Sequence, residues 1–269
     1  MLRSVVIAAM KHGASGVSKM ASGTKFGIIG SAGRMGHALV AAIAEAGAVH
    51  AGGIDQGGDL AALAAGSDVL VDFSHPAALE ANLDAAVTAG IPIVVGTTGL
   101  EERHLWLCDH AAQAIPLLQT GNTSLGVAML VHLVREAALR LDADWDIEIV
   151  EMHHRRKIDA PSGTALMLGA AAAEAREIRL HEASERGRDG ITGARVRGAI
   201  GFASLRGGTV AGDHSAIFAG EDERIVLSHV AENRSIFARG AVRAALWLIG
   251  QRPGRYSMAE VLGAQVLGL

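Results

Sequence analysis

The chain has 269 residues, enough for one large domain or two modest ones around a substantial core. Half of the residues are hydrophobic and 19% are charged, which excludes an intrinsically disordered protein, and a formal net charge of −4 argues against a nucleic-acid partner held by a broad basic surface. Aromatic residues make up 3% while Gly numbers 34, so the core has to be built from close-packed Ala, Val, Leu and Ile, which favours α/β layering. The single cysteine, Cys108, excludes an intrachain disulfide and a multi-cysteine zinc site and suits a reducing compartment, the cytoplasm. It reads as inert packing, and no metal is expected.

Residues 1–44 carry Arg3, Lys11, Lys19, Lys25 and Arg34 but no acid, and residues 1–24 read as a disordered leader, with Met20 as an internal start. Phe26–Ile29 is a short buried strand that runs into Gly30, Gly33 and Gly36 and then into an Ala-rich helix, His37–Ala46. Strands follow at Val49–Ile54, ending in Asp55, at Asp68–Phe73 and at Ile91–Val95, ending in Gly96–Gly99, with a helix at Ala77–Ala89. A helix at Glu101–Ala114 and a strand at Ile115–Gln119 complete the series. This alternation predicts a parallel sheet with right-handed crossovers, whose ligands bind beyond the carboxyl ends of the strands. The uncharged stretch Ala111–Val134 is long enough to span a bilayer, but Pro116, Gly121, Gly126 and the polar residues between them break it into strand, loop and helix, so no membrane partner is expected.

The character then changes. Trp145–Glu151, Arg195–Phe202, Thr209–Ala219 and Arg224–Val230 read as strands of a mixed sheet in a second domain. Ile236–Ile249 reads as an amphipathic helix and Met258–Leu262 as a short closing one. The expected organisation is a Rossmann-like domain over 25–124, completed by 235–269, and a smaller α+β domain with a mixed sheet over 125–234.

Gly30, Gly33 and Gly36 depart from the common GxGxxG spacing. Their context carries the signal: a strand precedes them, and the helix that follows offers unpaired N–H groups to a pyrophosphate. Asp55, 19 residues past Gly36 at a strand end, can accept hydrogen bonds from ribose hydroxyls. No Lys or Arg lies between Met35 and Glu102, against nine acids counted from Glu45 to Glu102. A 2′-phosphate near Asp55 would meet repulsion of roughly 1 to 4 kcal/mol per charge pair, with only Arg34 nearby in sequence to offset it, so NADH is expected over NADPH.

A sharper constellation runs from Glu151 to Ala165, opening at a strand end and closing at a helix start. Ser162 or Thr164 can cap that helix, and the N–H groups of Gly163 and Thr164 with those hydroxyls make a carboxylate-sized anion site. His153, His154, Arg155, Arg156 and Lys157 crowd just upstream, and such crowding favours proton donation near neutral pH.

The stretch Glu151–Ala165 matches E-x-H-H-x-x-K-x-D-x-P-S-G-T-A without a gap. With Gly30-x-x-Gly33-Arg34-Met35-Gly36, Asp72-Phe73-Ser74-x-Pro76, Gly96-Thr97-Thr98-Gly99, Asn122-x-Ser124-x-Gly126, Gly212-x-His214 and His229-x-Ala231-x-x-Arg234, the chain from about residue 25 onward resembles the dihydrodipicolinate reductase (4-hydroxy-tetrahydrodipicolinate reductase) family. The resemblance implies an NAD(P)H-dependent oxidoreductase that reduces a cyclic dicarboxylate in lysine and diaminopimelate biosynthesis and assembles as a homotetramer through its second domain. It implies His153 and Lys157 as the catalytic pair and His154, Ser162, Gly163, Thr164 and Arg234 as substrate contacts. It further implies Gly30, Gly33, Arg34, Met35, Gly36, Asp55, Phe73, Gly96, Thr97, Thr98, Asn122, Thr123 and Ser124 as the cofactor side. Two features depart from the family pattern: the leader, and an unusually short connection from Asp55 to Asp72. Other readings are a different two-domain NAD(P)-dependent dehydrogenase or a catalytically silent dinucleotide sensor.

Overall fold

The computed structural model describes residues 22–263, so the leader reading lies outside the described residues up to position 21. Six strands form one parallel sheet: β1 (Lys25–Ile29), β2 (Val49–Ile54), β3 (Val69–Asp72), β4 (Ile93–Val95), β5 (Pro116–Gln119) and β11 (Gly254–Tyr256), in the order β11-β5-β4-β3-β1-β2. The inner strands read as unbroken apolar runs because both faces are covered. Val69, Val71, Val94 and Leu118 pack against α1 (Arg34–Glu45) and α8 (Ser235–Leu248) on one face. Leu70, Ile93, Val95 and Leu117 pack on the other against α2 (Leu60–Ala65), α3 (Leu79–Ala89) and α4 (Glu102–Ala111). The C-terminal segment thus completes the first sheet: α8 covers it, and β11 pairs with β5.

Between these, α5 (Leu125–Arg140) leads into a second, mixed sheet. Its strands are β6 (Asp146–His153), β7 (Ser184–Glu185), β8 (Ile200–Arg206), β9 (Asp213–Ala219) and β10 (Arg224–Val230), in the order β10-β9-β6-β8-β7. β6 runs parallel to β8 and antiparallel to β9. One face carries Ile147, Ile149, Phe202 and Phe218 against α5 and α6 (Gly163–Ala175). The short helices α7 (Leu180–Ala183) and α9 (Met258–Val261) close the description.

Three strands of the second sheet differ from the expectation, and β7 was not expected; β6 runs from Asp146 to His153 where Trp145–Glu151 was expected. The strand expected over Arg195–Phe202 runs from Ile200 to Arg206, because Arg195 sits in the preceding loop. There its guanidinium donates to Asp146, Glu148 and the carbonyls of Ile147 and Ala199. The strand expected from Thr209 starts at Asp213, after a turn in which Gly208 takes φ +49°. Among the described residues no helix is long and apolar enough to cross a membrane.

Candidate active site

At the carboxyl end of β1 the chain must turn sharply, and Gly30 does so at φ +85°; a Cβ there would lie 2.5 Å from the Phe73 carbonyl oxygen. Gly33 caps α1 without a side-chain hydrogen bond, and no acid stands in the first turn, so the N–H groups at Arg34, Met35 and Gly36 remain suited to an anion. Asp55, at the end of β2, leans back onto this turn: its Oδ2 accepts from Ser31 Oγ at 2.8 Å and from the Ala32 N–H at 2.9 Å. The Phe73 ring packs under Gly96, where a Cβ would lie 2.3 Å from it. Fully buried Asp72 ties these loops together, accepting from Ser74 N–H and Oγ, Asn82 and Thr97. Burial pushes its carboxyl up, against the pull of those hydrogen bonds.

Beyond the carboxyl ends of β4 and β5 opens a cleft of about 580 Å³, lined among others by Thr97, Thr98, Asn122, Gly163, Met167 and Met258. Its walls come from the loops of the parallel sheet on one side and from α5 and α6 on the other, joined by a hydrogen bond: Asn122 Nδ2 donates to Thr164 Oγ1 at 2.9 Å. The two residues after Asn122 are spent inside the fold. Thr123 Oγ1 donates to the Phe237 carbonyl at 2.6 Å, and Ser124 caps α5 by accepting from the Val127 N–H.

On the other side of that bond, the core face of β6 turns polar at its carboxyl end. Side chains of a strand share a face at every second residue, so Ile147 and Ile149 are followed there by Glu151 and His153. Glu151 is 1% exposed, and its Oε2 takes a bond from His153 Nδ1 at 2.6 Å and another from Arg206 at 2.8 Å. Burial alone would raise this carboxyl, but hydrogen bonds from Arg206, His153 and Ser204 outweigh it and hold it down at about 2. A proton on Nδ1 leaves His153 Nε2 on the far side of the ring for a ligand.

Register places His214 of β9 opposite Glu151, with its ring edge-on to His153 at 5.1 Å. Burial first, then the neighbouring His153, pushes His214 down to about 4, so it is neutral at ordinary pH. His214 Nε2 lies 2.9 Å from Ser162 Oγ, which also caps α6 by accepting from the Ala165 N–H. Among the described residues His214 Nδ1 is buried without a partner, so the favoured tautomer carries its proton on Nε2 and avoids an orphaned donor. Ser162 then accepts twice, and its own proton is free to point outward beside Gly163 and Thr164.

The loop after β6 supplies cations. Lys157 Nζ bonds both carboxylate oxygens of Asp159 at 2.8 Å. Both ring nitrogens of His154 face donors, Nδ1 the Arg156 N–H at 3.2 Å and Nε2 the Arg234 guanidinium at 3.0 Å; a neutral ring accepts from one of them only, and the charged guanidinium favours the lone pair on Nε2. Desolvation, then the charges of Arg234, His153, Lys157 and Arg34, push His154 below its usual value. Among these charges Arg34, on the glycine turn, contributes least.

Of the residues expected at the site, His153, His154, Lys157, Ser162, Gly163, Thr164 and Arg234 surround the carboxyl end of β6. Gly30, Gly33, Arg34, Met35, Gly36, Asp55, Phe73, Gly96, Thr97, Thr98 and Asn122 stand at the carboxyl ends of the first sheet. Three participants were given no role from the sequence: Glu151 and His214, although both stand in the matched motifs, and Arg206, which stands in none. Strand pairing assigns them their places beside His153.

A dinucleotide-type turn, a cleft at the switch from one sheet to the other, and a histidine and a lysine gathered at the carboxyl end of β6 are the features of a nicotinamide-dependent oxidoreductase. The family described as dihydrodipicolinate reductase matches twice, its N-terminal part over residues 24–123 and its C-terminal part over 126–262. The 4-hydroxy-tetrahydrodipicolinate reductase of Zymomonas mobilis is 54% identical over 249 residues, 90% of this chain and 98% of that one. That of Parvibaculum lavamentivorans is 50% identical, covering 91% and 100%. Among solved structures, a dipicolinate-bound dihydrodipicolinate reductase from Paenisporosarcina sp. TG-14 superposes with a TM-score of 0.70 at 22% identity, covering 88% of this chain and 98% of that one. The chain belongs to the dihydrodipicolinate reductase family.

Proposed function

We propose that this protein reduces 4-hydroxy-tetrahydrodipicolinate to tetrahydrodipicolinate, with loss of water, in lysine and diaminopimelate biosynthesis. The observation that carries the reading is the join at Asn122 and Thr164, which sets the ligand end of the parallel sheet against the anion-binding start of α6 and the cationic end of β6. A reduced nicotinamide dinucleotide supplies the hydride when bound. Arg34, Met35 and Gly36 after Gly30 and Gly33 hold its pyrophosphate and Asp55 its adenosine ribose. Phe73, Gly96, Thr97, Thr98 and Asn122 hold the nicotinamide end.

Ser162, Gly163 and Thr164 bind one substrate carboxylate, and His154 and Arg234 add further contacts to the dianion. His153, through Nε2, and Lys157, once its ammonium exchanges Asp159 for the substrate, balance the negative charge and supply the proton that accompanies the hydride. Replacement by alanine tests this: H153A and K157A are each expected to lower kcat by about 100-fold or more with dinucleotide affinity retained. Wild-type turnover in either variant would remove that residue from the role.

NADH is the preferred cofactor on this reading, supported by the Asp55 carboxylate fixed at the ribose end by Ser31 and Ala32 and by the lack of Lys or Arg over residues 36–101. The assembly is a homotetramer through the second sheet, supported by exposed Leu205, Ile225, Val226 and Val230 on its strands. A monomeric mass by light scattering would contradict it. The protein resides in the cytoplasm, in keeping with a sequence whose one cysteine is buried, its thiol pushed up by burial to about 11; recovery from a membrane or secreted fraction would argue otherwise.

A further inference from the structure

Arg206 ends β8, directly opposite His153 in the register of the parallel pair β6 and β8. One of its terminal nitrogens donates to Glu151 Oε2 at 2.8 Å, and that same oxygen receives His153 Nδ1 at 2.6 Å. The other donates to the Asp159 carbonyl at 2.7 Å, and the Asp159 carboxylate receives Lys157. A planar guanidinium is suited to this because its two terminal nitrogens diverge at a fixed angle, which a lysine ammonium cannot reproduce. We infer that Arg206 is a positioning residue that sets both proton-handling groups at once, His153 through Glu151 and Lys157 through the Asp159 backbone.

The inference rests on the roles proposed above for His153 and Lys157. The groups against His153 are Glu151 on its own strand, Arg206 opposite it on β8 and His214 of β9. Glu151 and Arg206 form a charge pair at the buried end of this set, so each keeps the other from being left uncompensated. Glu151 then holds the proton on His153 Nδ1, while Arg206 prevents the carboxylate from turning away.

The test is steady-state turnover of R206K and E151Q, with H153A and K157A assayed alongside and circular dichroism melts to check folding. R206K is expected to lower kcat by about 10- to 100-fold, with NADH affinity within about twofold of wild type. Because Arg206 acts through His153, the combined loss in H153A/R206K falls short of the product of the two single losses by about tenfold. E151Q cuts Arg206 off from His153 and is expected to lower kcat by about tenfold, with the loss in H153A/E151Q again short of the product of the single losses. If R206K does not fold, R206Q replaces it in the same measurements. Turnover of folded R206K within about twofold of wild type, losses that simply multiply, or wild-type turnover in E151Q would overturn the inference. Wild-type rates in both H153A and K157A would instead overturn the functional reading beneath it.

Discussion

Glu151 and His214 face each other across β6 and β9, and both make the fold sensitive to acid, over different ranges. The Glu151 carboxyl is held at about 2 against an ordinary 4.5, so the unfolded chain takes up its proton first and the stability it contributes, present above 4.5, is lost as pH falls toward 2. His214 sits at about 4 against an ordinary 6.5, kept neutral by burial. Here too the unfolded chain protonates first, so stability is lost as pH falls from 6.5 to 4. Shifts of this size correspond to roughly 3 kcal/mol each. Thermal melts are therefore expected to drop in two stages on acidification, with H214Q flattening the upper stage and E151Q the lower; unchanged slopes in the variants would contradict this. At this scale the sequence was legible where chemistry is local. His153, Lys157 and Ser162 stand in one uninterrupted stretch, but nothing near Arg206 or His214 in the chain says which strand each one faces.

Helices and strands were legible where they are long or buried on both sides. The unbroken apolar runs of β3, β4 and β5 announced a covered parallel sheet, and α8 showed a clear amphipathic pattern. The six-residue helix α2 was hidden, too short to display a period, although Asp59 caps it by accepting from the Ala62 N–H. β11 has only three residues, and its place beside β5 is fixed by pairing rather than pattern. Misplacing β8 had the larger consequence: with the strand ending at Phe202, Arg206 could not be aligned with His153. Packing of α8 yields a separate prediction. A Cβ on Gly240 would lie 1.8 Å from the Thr123 carbonyl oxygen, so G240A has to push α8 off the Asn122–Ser124 segment and strain the Thr123 bond to Phe237. Overpacking of this kind costs about 1 to 3 kcal/mol, and a fall in melting temperature of about 5 °C or more is expected in circular dichroism melts. An unchanged midpoint would show that the helix has room to spare.

Across the whole molecule, function depends on two sheets that meet at few points. Asn122 bonds Thr164 across the cleft, Thr123 bonds Phe237 where the chain leaves and re-enters the first sheet, and Arg34 lends its charge to the pocket of His154. On the proposed reading, the loops of the parallel sheet hold the dinucleotide, while the carboxyl end of β6, the loop after it and the start of α6 supply the cations and N–H groups that a small dianion requires. The most direct measurement is oxidation of NADH and of NADPH by the purified chain, with substrate generated in situ from pyruvate and aspartate semialdehyde by the preceding synthase. Stoichiometric oxidation that depends on the synthase product, with a higher kcat/KM for NADH than for NADPH, is the predicted result; NADH binding without turnover would contradict the reductase assignment.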